Sequence, residues 1–181
     1  MQLFAAGLLL GVPRVLVNPL NIRDEQRTST SNLYMLPAEK YWPTTDVIAR
    51  TKTRSYGIND VDKFLKDVGF PEGAAMRKHM VNSTALMATT PGIPIQCFYG
   101  MIKKSTVETL EYEDDADFPG KPSNMVMGDG DGTVNLESLR LCGAFQSKQK
   151  EAISVKVIPG VDHTGLISEK SVMSDIGKLV E

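Results

Sequence analysis

The sequence has few of the residues that build metal and redox centres. Its 181 residues contain only two cysteines, two histidines and one tryptophan. The cysteines, Cys97 and Cys142, each stand alone, so the Cys-x-x-Cys pairs of zinc sites and thiol redox sites are missing. Two free core thiols and one long-range disulfide both fit this spacing.

An excess of positive charge is also missing. The 20 Lys and Arg residues and 22 Asp and Glu residues give a formal net charge of −2, and the basic residues are scattered along the chain. A protein that neutralises phosphates needs a basic patch or stripe. We therefore do not expect nucleic-acid binding.

No hydrophobic run is long enough to span a bilayer. The apolar run from Leu3 to Leu10 is too short for that and lacks the basic start of a secretory signal. It is more typical of the tail of a buried helix in a longer chain. The sequon Asn82-Ser83-Thr84 makes Asn82 a glycosylation candidate, which would matter in a secreted or lumenal protein.

The composition, 41% hydrophobic and 23% charged, is that of an ordinary globular protein and predicts a single domain. Residues 11–45 are rich in proline, serine, threonine and asparagine, which predicts a long irregular segment such as a lid or binding loop. Apolar residues at i, i+3, i+4 and i+7 predict a helix over 59–69. Its apolar face consists of Val61, Phe64, Leu65 and Val68.

The remaining elements alternate between strands and helices. We predict strands at 47–51, 93–100, 125–127 and 153–158, helices at 73–88, 136–145 and 171–180, and an acidic loop at 111–122. This alternation predicts an α/β fold with a mainly parallel sheet.

Two turns carry the chemistry. Asp131 lies in Gly-Asp-Gly-Asp-Gly-Thr-Val at 128–134, and His163 lies in Pro-Gly-Val-Asp-His-Thr at 159–164. Each turn follows a predicted strand, and the carboxyl ends of parallel strands gather at one edge of a sheet. A carboxylate beside a histidine holds the imidazole in one tautomer while the ring takes a proton from a serine hydroxyl. The two turns therefore predict the acid and base of a Ser-Asp-His site.

A plain β-turn and a calcium loop are the alternatives for the Gly-Asp repeat. An EF-hand beginning at Asp129 would need glycine at its sixth position and an acidic residue at its twelfth, where Val134 and Arg140 stand. This excludes an EF-hand, while a plain turn stays open. His79, in the middle of a predicted helix, is interpreted as structural.

Together these motifs resemble the lecithin:cholesterol acyltransferase family, and within it the lysosomal phospholipase A2 branch. The resemblance rests on 18–27, 67–73, 76–77, 96–100, 128–136, 141–142 and 159–164, and so covers nearly the whole chain. It implies the C-terminal part of an α/β-hydrolase fold, with Asp131 as triad acid, His163 as triad base and Asp129 as a non-catalytic neighbour. It also implies a Cys97–Cys142 disulfide and a mobile lid at 11–31.

The resemblance further implies a lipid acyl hydrolase or O-acyltransferase that needs no cofactor or metal. Its expected partners are a phospholipid, an acyl acceptor that is water or an alcohol, and a membrane or lipoprotein surface. The expected location is lysosomal or extracellular.

Two departures from the family pattern matter. No Gly-x-Ser-x-Gly elbow occurs in residues 1–181, so we expect the nucleophile and oxyanion hole to lie upstream and this chain alone to be inactive. Residues 100–104 also differ from the small glycine-containing loop usual after this strand. The alternative is a truncated homologue without catalysis that keeps a binding or interaction role.

Overall fold

The computed structural model describes residues 23–87 and 89–180. Its contacts divide them into two compact units: the first comprises 23–87, 89 and 108–126, and the second comprises 90–107 and 127–180. Of the lid predicted at 11–31, residues 11–22 lie outside the described part, so the lid stays a prediction.

The first unit is mainly helical. Its helices are α1 (Arg23–Thr28), α2 (Ser31–Tyr34), α3 (Val61–Asp67) and α4 (Pro71–Met87). Its strands are β1 (Val47–Arg50) and β2 (Ser55–Gly57), and single 3-10 turns lie at Ile58–Asp60 and Asp115–Asp117. The segment predicted to be irregular thus contains two short helices, while β1, α3 and α4 lie where the sequence predicts them.

Helix α3 shows why the apolar spacing forms a helix at this point. Val61, Phe64 and Leu65 are completely buried, and Val68 is 2% exposed, so the predicted face is the buried one. Gly69 then takes φ +79°, a left-handed conformation that glycine adopts without steric cost and that ends helices.

The core of this unit is an aromatic cluster. Tyr56 stacks on Phe118 with ring centroids 5.4 Å apart, and Phe64 meets Tyr56 edge-on at 5.6 Å. The Tyr56 hydroxyl donates a 2.7 Å hydrogen bond to Asp67. Burial and this carboxylate raise the pKa of Tyr56 to about 12.

The second unit carries the ends of the strands that lead to the turns of Asp131 and His163. β3 (Ile95–Glu111) begins in it and β4 (Asn124–Gly130) ends in it. Then come α5 (Leu136–Leu139), α6 (Leu141–Ala144), a 3-10 turn at Phe145–Lys148, β5 (Ile153–Pro159), a 3-10 turn at Gly165–Ser168 and α7 (Lys170–Val180). The helix predicted over 136–145 is two four-residue helices followed by a 3-10 turn, and the strand predicted over 93–100 continues to 111.

The sheet is mixed, and the prediction of a mainly parallel sheet is wrong. β5 runs parallel to β3, in register from Ile95 opposite Ile153 to Met101 opposite Pro159, and β1 runs parallel to the end of β3. β1 and β2 are antiparallel, however. Only residues 51–54 join them, and a connection that short can link antiparallel neighbours only, since parallel strands need a crossover. The fold class is therefore mixed α/β.

No helix within the described residues is long and apolar enough to cross a membrane.

Candidate active site

Asp131 begins the turn that follows β4, and its side chain is buried, with 2% exposed. The backbone N–H groups of Thr133 and Val134 donate to its Oδ1 at 3.0 and 2.7 Å. Gly132 adopts φ +86°, which lets the chain reverse so that both amides face the carboxylate. Oδ1 is thus held by the backbone, and Oδ2 is left for another partner.

His163 lies in the turn that follows β5. The turn begins with Gly160, whose φ of +77° suits glycine and whose N–H donates to the Met101 carbonyl at 2.9 Å. The His163 N–H donates to the Asp131 carbonyl at 2.9 Å, and its ring Nδ1 lies 2.8 Å from Asp131 Oδ2. The two residues are therefore joined twice, once through the backbone and once through their side chains.

Asp162 shapes the same turn. Its Oδ1 accepts hydrogen bonds from the Gly165 N–H at 2.6 Å and from the Thr164 hydroxyl at 3.1 Å. The Gly165 bond is the main cause of a lowered pKa for Asp162, because it favours the charged carboxylate. An Asp two residues before Thr-Gly is a turn signal in the sequence, and it could have identified this residue.

The arrangement fixes which ring nitrogen is free. An ionised carboxylate only accepts hydrogen bonds, so a neutral imidazole in this contact carries its proton on Nδ1, which leaves Nε2 unprotonated. The unprotonated Nε2 can then accept a proton from a hydroxyl. The His163 side chain is 50% exposed whereas the Asp131 side chain is 2% exposed, so the imidazole is open to solvent and the carboxylate is shielded. The same contact between a carboxylate and histidine Nδ1 occurs in Ser-Asp-His sites.

The Asp129 carboxylate is not hydrogen-bonded to the imidazole. Its Oδ1 accepts the backbone N–H of Lys104 in β3 at 3.0 Å. Thr106, a buried threonine of β3 that the sequence did not single out, accepts the Gly132 N–H at 3.1 Å. The β-branched residues that follow Ser105, at 106, 107 and 109, are the signal that could have placed it in a strand.

The other candidate residues lie apart from the pair in the chain. Cys97 in β3 and Cys142 in α6 form a disulfide, with Cα atoms 6.3 Å apart. His79 is an exposed residue of α4. Asn82 also belongs to α4, but its side chain lies outside the described part of the structure, so its glycosylation stays a prediction. Within the described residues, no group of three or more His, Cys, Asp or Glu side chains is placed to hold a metal ion.

Comparison with known proteins agrees with these features. The family model described as lecithin:cholesterol acyltransferase matches residues 72–173, a span that includes both Asp131 and His163. The chain belongs to the lecithin:cholesterol acyltransferase family. Members of this family that resemble the chain come from animals and from a plant.

Three relatives illustrate the range. The mouse "Lysosomal phospholipase A and acyltransferase" is 33% identical over 164 residues, covering 91% of this chain and 39% of the relative. The Arabidopsis thaliana "Lecithin-cholesterol acyltransferase-like 1" is 36% identical over 181 residues, covering 99% of this chain and 39% of the relative. The chicken "Phosphatidylcholine-sterol acyltransferase" is 33% identical over 168 residues, covering 92% of this chain and 39% of the relative. The chain thus spans about two fifths of the length of these relatives.

Proposed function

We propose that this chain supplies the acid and base of a Ser-Asp-His acyl-transfer site of the α/β-hydrolase type that acts on phospholipid esters. The observation that carries the proposal is the 2.8 Å contact between His163 Nδ1 and the buried Asp131 Oδ2. The family supports the lipid substrate, because the animal relatives are named as phospholipase or phosphatidylcholine acyltransferases. The location proposed by the same likeness is lysosomal or extracellular.

His163 is the proposed general base. As a serine oxygen attacks the ester carbonyl carbon, Nε2 takes the serine proton and Asp131 stabilises the resulting imidazolium. Nε2 then gives this proton to the leaving alcohol oxygen, which releases the lysophospholipid and leaves an acyl-serine ester. Water or another alcohol attacks that ester in the second half of the reaction, with His163 again as base. The acceptor decides between hydrolysis and acyl transfer.

Residues 1–181 contain no Gly-x-Ser-x-Gly elbow, so the chain does not supply a serine nucleophile in that motif. In this fold the backbone N–H of the residue after the nucleophile is one of the oxyanion donors, so a chain without the elbow also lacks that donor. Removing one oxyanion donor alone costs about 10²–10³ in kcat, and the nucleophile is worth more. We therefore expect the 181-residue chain alone to be inactive.

The test measures fatty acid released from phosphatidylcholine vesicles by the purified 181-residue chain, with His163→Ala as the matched control. We expect both proteins to release no more than the buffer. Turnover by the native chain that disappears in His163→Ala would mean that this chain holds its own nucleophile and that the inactivity expectation is wrong.

The genomic sequence before Met1 provides the complementary test. An in-frame upstream segment that encodes a Gly-x-Ser-x-Gly elbow supports the acyl-transfer function. An in-frame stop codon directly before Met1 supports instead a non-catalytic homologue with a binding or interaction role.

A further inference from the structure

β3 departs from regular strand geometry at Lys104, next to the turn that carries Asp131, and we call this irregularity the kink. Lys104 has φ +48°, in the left-handed region that side chains other than glycine rarely occupy. In a regular strand neighbouring side chains point to opposite faces. Here the hydroxyl oxygens of Ser105 and Thr106 lie 3.4 Å apart, so the kink brings two consecutive hydroxyl groups to the same side.

Three consecutive residues of this kink contact the turn on both sides of Asp131. The Lys104 N–H donates to Asp129 Oδ1 at 3.0 Å. The Ser105 hydroxyl has two carbonyl acceptors that share its one proton: Ile102 at 3.0 Å and Gly130, in the turn, at 3.3 Å. Thr106 Oγ1 accepts the Gly132 N–H at 3.1 Å. We call Lys104, Ser105 and Thr106 the β3 clamp.

We propose that the β3 clamp positions the acid–base pair, with Thr106 and Asp129 as the positioning residues that hold the Asp131 carboxylate against His163 Nδ1. This inference rests on the proposed function, because the acid–base pair is the site it refines. Neither residue is hydrogen-bonded to the imidazole, and each accepts a backbone N–H: Thr106 that of Gly132 and Asp129 that of Lys104.

The left-handed conformation of Lys104 is evidence that contacts with the turn hold the clamp in place. A left-handed residue that is not glycine persists only when its surroundings hold it, and the Asp129 carboxylate provides such a contact at the Lys104 N–H. The Thr106 side chain is 3% exposed, and its Oγ1 lies 2.3 Å from the position that a Cβ on Gly130 would take. Thr106 is therefore packed directly against the backbone that precedes Asp131.

The clamp matters for the chemistry because the side-chain contact between Asp131 and His163 is short and directional. Its 2.8 Å length leaves little room for the turn to shift before Nδ1 loses its acceptor. Once that acceptor is lost, the proton is free to move to Nε2, the nitrogen that has to be unprotonated to act as a base. Positioning residues that fix the turn therefore fix the tautomer.

The test is ¹⁵N NMR of the imidazole rings in the 181-residue chain at a pH where they are neutral. The chain has two histidines, so exposed His79 serves as an internal reference for an imidazole outside the site. We expect the native His163 to show a protonated Nδ1 and an unprotonated Nε2. Thr106→Val and Asp129→Ala should reduce the difference between its two nitrogen shifts by at least half.

Matched variants separate positioning from general loss of structure. Thr106→Ser and Asp129→Asn keep the accepting oxygen, so each should retain the native nitrogen shifts. Thr109→Val is the control for the loss of one threonine hydrogen bond in β3. The Thr109 hydroxyl donates to the Val47 carbonyl at 2.6 Å, and both residues belong to the first unit, whereas the acid–base pair belongs to the second. It should leave His163 unchanged.

The outcomes distinguish this inference from the proposed function. If native His163 already matches His163 in an Asp131→Asn variant, the acid–base pair is not formed and the proposed function fails. If the native chain shows the expected tautomer and folded Thr106→Val and Asp129→Ala keep it, the positioning inference alone is overturned. If Thr106→Val loses the amide dispersion of a folded protein, Asp129→Ala alone tests the positioning inference. Asp129 is partly exposed, so its truncation leaves no core cavity.

Discussion

Gly130→Ala is the substitution that most directly tests the packing beneath Asp131. A Cβ at this position would lie 2.3 Å from Thr106 Oγ1 and 2.3 Å from the Val134 carbonyl oxygen, where ordinary contact begins at 3.4 Å. Rotating Thr106 away relieves the first clash but breaks its bond from the Gly132 N–H. The second clash is with backbone that accepts the Asp131 N–H at 3.2 Å, so the turn itself has to move.

The expected cost combines two effects. Overpacking a filled site costs about 1–3 kcal/mol, and a lost hydrogen bond costs about 0.5–1.5 kcal/mol, so we expect the free energy of unfolding to fall by roughly 2–4 kcal/mol. Urea unfolding followed by far-UV circular dichroism measures it.

Gly177→Ala is the matched control. A Cβ there meets nothing within 4 Å, and the residue lies inside α7, where alanine is favoured over glycine by about 1 kcal/mol. We expect Gly177→Ala to be neutral or stabilising. The packing argument is refuted if Gly130→Ala loses less than about 0.5 kcal/mol under conditions in which the control behaves as expected.

Two further predictions concern the disulfide and the acid dependence. The Cys97–Cys142 disulfide closes a separation of 45 residues, so the double variant Cys97→Ala/Cys142→Ala should lower the free energy of unfolding by up to about 4 kcal/mol. Urea unfolding measures this loss, and no loss would contradict the prediction. Hydrogen bonds from the Thr51 hydroxyl, and then from Thr53, lower the pKa of Asp115 from 3.8 to about 2. The ionised carboxylate therefore stabilises the fold at pH values above 3.8, and this stabilisation is lost as the pH falls from about 4 to about 2. Asp115→Asn should therefore flatten the fall in stability over that window in urea titrations at pH 5, 3 and 2, and an unchanged pH slope would count against it.

Local patterns predict the elements that are stabilised locally. The spacing of Val61, Phe64 and Leu65 identifies α3 because one turn of helix brings those residues to one face, and the structure buries all three. The strand after residue 152 is identified in the same way, since β-branched residues alternate along it. The membership of the lecithin:cholesterol acyltransferase family was likewise identified from the motifs, and the family match over 72–173 confirms it.

Elements that depend on distant partners were predicted less well. The second half of β3 contains Lys103, Lys104 and two threonines, and its pairing depends on residues far away in the chain rather than on its own apolar pattern. The direction of β2 depends on the four-residue connection from β1, so the alternation of strands and helices alone did not reveal the mixed sheet. The length of β3 was missed because its pairing is long-range, whereas the mixed sheet was missed because β2 itself was not predicted.

The sequence by itself determined which residues form the candidate pair: Asp131 in a glycine turn and His163 in a Pro-Gly turn, each after a strand. Only the tertiary structure decided how they meet, with one Asp131 oxygen held by two backbone amides, the other 2.8 Å from His163 Nδ1, and the clamp of β3 against the turn. The physical reason is that a turn is specified by its own few residues. A contact between turns 32 positions apart, and the kink that supports it, depends on hydrogen bonds that exist only after the strands have paired.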